Sequence, residues 1–128
     1  MTYHFSKTLA LGMEDAIARV TDELKKEGFG ILTAIDVQKT LKAKIDVDFR
    51  PYRILGACNP GFAHKALLAE DKIGTMLPCN VIVQEHSPGN VEVSAIDPME
   101  SMKAIENPAL GGIATEVRAK LERVIAQL

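Results

Sequence analysis

The chain has 128 residues, 47% of them apolar and 25% charged, with a net charge of -2, which is the profile of a single globular domain, residues 1–128, with a core of its own. The balanced charge excludes a basic field for nucleic acid or an anionic membrane, and 5% aromatics without Trp leave few platforms for stacking bases. No apolar run nears the roughly 20 residues of a membrane span, and the first residues read as a strand rather than a signal peptide, so the expected compartment is the cytoplasm.

Tyr3, Phe5 and Leu9 alternate with His4, Ser6 and Thr8, the period of a strand with one buried face. Met13, Ile17, Val20 and Leu24 recur at helical spacing, and Gly28 suits the residue just past a helix end. Gly30–Ile35 reads as a second strand, after which Asp36 is placed to cap a short helix running to Lys44. Tyr52–Ala57 makes a third strand ending at Cys58, and Asn59-Pro60 opens a helix to about Glu70. Cys79–Glu85 and Val91–Ile96 flank Ser87-Pro88-Gly89-Asn90, the strongest hairpin signal in the chain. Asp97-Pro98 ends that hairpin and starts a turn of helix carrying Met99, Met102 and Ile105. Asn107-Pro108 opens a last helix with Leu110, Ile113, Val117, Leu121, Val124 and Leu128 as its buried stripe.

Strands with one apolar face and helices with one apolar stripe satisfy each other in two layers. The fold expected is an α+β two-layer sandwich, a mixed, mainly antiparallel sheet of about five strands with helices on one face.

Several runs carry a resemblance: Gly28-Phe29-Gly30, Ile35-Asp36-Val37, Phe49-Arg50-Pro51-Tyr52, Ile54 to Pro60, Leu77-Pro78-Cys79-Asn80-Val81 and Asp97-Pro98. Together they resemble the prokaryotic domain-of-unknown-function family three hundred and two, over essentially the whole chain. The resemblance implies a compact α+β domain that forms a homodimer. It implies no established activity, substrate or cofactor.

The chemistry-bearing positions gather around the two cysteines, Cys58 and Cys79. Cys58 precedes a helix N-terminus, where the dipole can lower a thiol pKa; its plainer reading is a small apolar residue closing a strand. Cys79 shares a strand face with Val81 and Val83, which argues for a core thiol. Asn59 is better explained as a helix cap than as a catalytic amide, and Asn80 as a strand-edge residue satisfying backbone. His64 falls outside the inward arc of its helix, toward solvent or a subunit contact. His4 and His86 lie far apart in sequence, and nothing converges the histidines on a metal. Arg50 and Arg53 are expected to pair with Asp46 or Asp48.

The ligand-binding patch expected is therefore Cys58, Asn59, His64, Cys79 and Asn80, in a homodimeric binding module for a small molecule or a soft metal. No catalytic residue and no cofactor is specified by these residues, and whether the chain is an enzyme stays open. A thiol-dependent enzyme or redox protein using Cys58 stands as one alternative, and a structural or interaction domain with inert core cysteines as another. Leu68, Ile82 and Ile96, apolar on otherwise polar faces, are the expected dimer contact. A parallel crossover through the Pro60 helix would set Cys58 and Cys79 at opposite ends of the sheet, too far for a disulfide. Residues Asp71–Leu77, if extended, would instead bring Cys79 back beside Cys58 with the strands antiparallel.

Overall fold

The computed structural model describes residues 2–128. Strand β1 (His4–Leu9) leads into helix α1 (Met13–Lys26), which buries Ala16, Val20 and Leu24. Two backbone bonds close α1: the Gly28 N–H reaches the Lys25 carbonyl and the Phe29 N–H the Leu24 carbonyl, with Gly28 at φ 85°. Glycine adopts that left-handed conformation without the Cβ clash another residue would meet. Strand β2 (Gly30–Asp36) ends at the cap of helix α2 (Val37–Ile45), where the Lys39 N–H donates to Asp36 at 3.0 Å. That hydrogen bond, with a smaller contribution from Arg53, holds the Asp36 carboxyl below its ordinary range.

Strand β3 (Tyr52–Cys58) runs into helix α3 (Pro60–Ala69) and then a 3-10 turn at Ile73–Met76 whose Ile73 is fully buried. Strands β4 (Cys79–Ser87) and β5 (Asn90–Ile96) form the hairpin. Its turn places Pro88 and then Gly89 at the centre, and Gly89 takes φ 74°, the left-handed second position of a type II turn. Helix α4 (Pro98–Ser101) is capped by Asp97 and helix α5 (Pro108–Ala126) by Asn107.

The sheet order is β1-β5-β4-β3-β2, and all four pairings are antiparallel. The mixed character expected of the sheet is therefore not found. The segment after α3 is the reason: its 3-10 turn carries the chain back to the sheet end where β3 stopped, so β4 starts beside the end of β3.

Helices α1 and α5 cover one face of the sheet. Val20 and Leu24 from one, and Leu121 and Val124 from the other, meet Val81, Val83, Val91 and Val93 in the core, all nearly or fully inaccessible. Burial of such side chains contributes about 1.5 to 3 kcal/mol each. Lys7, on the core side of β1, extends its ammonium to the carbonyl oxygens of Leu128 at 2.6 Å and Ala126 at 3.3 Å. It thereby satisfies groups that the end of α5 leaves unpaired.

Two details of the polar surface depart from the sequence expectation. Asp46 and Asp48 pair with Lys42 rather than with either arginine, because α2 carries Lys42 within one turn of Asp46. Arg53 pairs instead with Glu14 and Asp36, while Arg50 stacks on Phe49 and Tyr52 and donates to Gln84 at 2.9 Å. Tyr3, expected inside, is 64% exposed and lies just ahead of the first residue of β1.

Candidate functional site

The end of the sheet at which β3 stops and β4 starts is roofed by α3 and α5, and a cavity of about 360 Å³ opens there. Its floor is the strand pair: Ala57, Cys58 and Asn59 on one side, Pro78 and Cys79 on the other. Phe62, Ala63 and Ala66 of α3 face Ile113, Ala114 and Val117 of α5 across it. Phe29 and Leu32 close one flank, Leu77 and Met102 another. The alanines are what leave room. At their positions on α3 and α5 a larger side chain would fill the space between the helices and the sheet.

Three local features build this end of the sheet. The β2–β3 ladder slips between Ile31 and Thr33, and Leu32, at the slip, lines the cavity. Gly56 accommodates a close approach: a Cβ there would run into Thr33 Oγ1 and meet Pro78 Cγ at 2.8 Å. The Leu77–Pro78 peptide is cis.

Of the five residues expected to form one patch, the structure brings together three. Cys58, Asn59 and Cys79 line the cavity. His64 is exposed on α3 and is not part of the lining. Asn80 is exposed on the sheet face away from the helices, because side chains alternate along β4 and Cys79 takes the inward position. It lies there in a shallow groove with His4, Tyr52, Ile82 and Ser94. His4 bonds Ser6 and His86 contacts Glu92, so the histidines stay separate.

Both thiols are free and stand at the same end of the sheet, since Cys79 pairs with Ala57 in the β3–β4 ladder. The crossover that would have parted them does not occur. Burial, and secondarily the proximity of Cys58, push the Cys79 thiol up to about 11. At neutral pH it is a protonated, weakly nucleophilic group. The lining contains no His, Lys, Asp or Glu to serve as a base for either thiol. Among the described residues no group of three His, Cys, Asp or Glu side chains is placed to hold a metal ion. A soft cation would find two cysteine sulfurs and would have to displace a strongly held proton from one of them.

Asn59 does not cap α3 with its side chain, although it occupies the cap position. Its Nδ2 donates instead to the Glu27 carbonyl at 3.3 Å, joining the end of α1 to the start of α3. The Glu27 carboxylate in turn takes Arg123 of α5 at 2.9 Å, and that hydrogen bond holds it below its ordinary range. Three helices are thus tied together beside the cavity. Sequence spacing alone does not mark these walls as a site. The inward stripe of α3 was legible as core, but the space beneath it depends on which alanines face one another.

Fold and cavity define a two-layer α+β domain with an apolar pocket at one end of an antiparallel sheet. The chain belongs to the family described as Domain of unknown function DUF302, whose sequence model matches residues 5–128. Its structure is similar to that of the uncharacterized conserved protein DUF302 from Bacillus stearothermophilus, known from a crystal structure. The two are 30% identical, with a TM-score of 0.90 over 99% of this chain and 98% of that one. No curated protein matches the chain. No helix is long and apolar enough to cross a membrane.

Proposed function

We propose that the protein is a cytoplasmic, homodimeric binding module, and that its ligand is a small, mainly apolar molecule held in the cavity between α3, α5 and the Cys58–Cys79 end of the sheet. The observation that carries this reading is the cavity itself, about 360 Å³ of space walled almost wholly by apolar side chains. Small-molecule sites fall in the range of about 300 to 1,000 Å³ and have this predominantly apolar character with few polar groups. Small-molecule binding is favoured over soft-metal binding because burial keeps the Cys79 thiol protonated. Two free thiols suit a compartment in which thiols stay reduced.

The test is a displacement assay with the neutral apolar dye Nile red, together with native mass spectrometry of the purified protein for co-purifying small molecules. Ala63→Phe puts an aromatic ring into the cavity from α3. The expected result is dye binding to the natural protein and loss of binding in a folded Ala63→Phe variant. Equal dye binding by both proteins would locate the dye elsewhere and sink the reading.

A further inference from the structure

We infer that the cavity is loaded past Leu32, Leu67 and Gly74, and that the two leucines set how fast its ligand enters and leaves. This route rests on the binding reading of the same cavity.

Much of the wall is shut off from solvent. Phe29, Ala57, Ala66, Pro98, Ala114 and Val117 line the cavity and are buried. Only three lining residues are exposed: Leu32 at 67%, Leu67 at 44%, and Gly74. Their places in the fold agree. Helix α5 flanks α3 and packs on β1 and β5, so it closes the side of the cavity toward β1. Strand β2 is the opposite edge of the sheet, and Leu32 stands there. Leu67 follows Ala63 by four residues and continues the same row of α3. Gly74 lies in the 3-10 turn after that helix, and a Cβ added to it would meet nothing within 4 Å.

Leu32 reaches the wall because the ladder slips. Ile31 pairs with Ala57, and both pack in the core on the helix side. Strict alternation would turn Leu32 to the other face. Leu32 has no partner on β3, since pairing resumes with Thr33 and Gly56, and it lines the cavity on the helix side instead. A bulge of this kind re-aims a side chain, and here it sets a large apolar group, largely exposed, at the sheet edge. An exposed leucine leaves apolar surface in water, and a ligand lying against Leu32 and Leu67 covers that surface. The same side chains stand in the path of a molecule that enters or leaves.

Stopped-flow fluorescence of Nile red separates entry from exit in three variants. Leu32→Ala and Leu67→Ala shorten exposed side chains, and Gly74→Leu adds one where there is room for it. Association and dissociation should both be about threefold to tenfold faster in each alanine variant. Both should be about tenfold slower in Gly74→Leu. Association at the natural rate in all three variants would overturn the inference and put the entry elsewhere. Faster dissociation alone in the alanine variants would overturn it too, reducing both leucines to wall contacts. Faster exchange in Gly74→Leu as well would do the same, because a general loosening would then explain every variant. If Gly74→Leu does not fold, the alanine variants, at exposed positions, still decide. Any of these results leaves the cavity a binding site; failure of Nile red to bind the natural protein ends both readings.

Discussion

Cys79 stands directly across from Ala57 in the β3–β4 ladder, and this register puts the chain's two thiols at one end of the sheet, under α3 and α5. Burial there governs how the inner thiol behaves.

Alkylation of Cys79 should be slow at neutral pH in the native protein and should rise as pH climbs toward about 11. Stability should respond as well. The folded state holds the Cys79 proton more tightly than the unfolded chain, in which a thiol ionises at an ordinary 9.0. The stabilisation is therefore fully present below pH 9.0 and is lost as pH rises through about 11. The loss amounts to about 2 to 3 kcal/mol relative to Cys79→Ala measured over the same range. Peptide mapping after timed iodoacetamide treatment gives the first result, and urea unfolding at several pH values the second. Rapid labelling of Cys79 at pH near 7 would contradict the burial argument.

Gly56→Ala should destabilise by about 1 to 3 kcal/mol, because the added methyl meets Thr33 and Pro78 from adjoining segments. Thr33→Ala in the same chain should recover part of that cost by removing the nearer obstacle, Oγ1. Urea midpoints for the two single variants and the double variant measure the coupling. Strictly additive losses would mean that the two residues do not compete for the same space.

Asp97 is buried, caps α4 through the Met99 N–H at 3.0 Å, and receives Arg118 of α5 at 3.0 Å. Asp97→Ala removes both interactions and should cost about 2 to 3 kcal/mol. Asp97→Asn keeps an oxygen for the cap and loses only the charge, so it should cost about 1 kcal/mol. Thermal unfolding ranks the two; an equal loss in both would assign the whole effect to the Arg118 pair.

The proposed homodimer has a defined contact. Ile82 and Ile96 lie together on the sheet face opposite α1 and α5, whereas Leu68, 75% exposed, projects from α3. One interface does not take all three, and the sheet face holds two of them with Tyr52 nearby. Sedimentation at micromolar concentration should show twice the 13.9 kDa chain mass, and Ile82→Lys should convert that species to monomer while Leu68→Lys should not. A monomer for the natural protein at these concentrations removes the proposal.

Local pattern alone determined a large part of this protein. The helical period of Val20 and Leu24, the turn residues Pro88-Gly89, the helix turn opened by Asp97-Pro98, and the caps at Asp36 and Asn107 all act within a few residues of themselves, and each appears where the sequence placed it. Cys79 was legible as an inward thiol because strand alternation needs no knowledge of the partner strand. Tertiary structure decided the rest. The direction of β4 depended on how far Ile73 draws its segment into the core, which local spacing does not encode. Asn59 has the same sequence signature as Asn107, and each donates its amide to a carbonyl at the end of an earlier helix, Glu27 and Ala69, yet only Asn107 also caps its own helix. The separation of His64 and Asn80 from the cysteines likewise follows from which face each element turns to the core. The cavity is the clearest case: Ala63 and Ala114 are ordinary helix formers in sequence, and only their meeting across α3 and α5 leaves the space that defines the site.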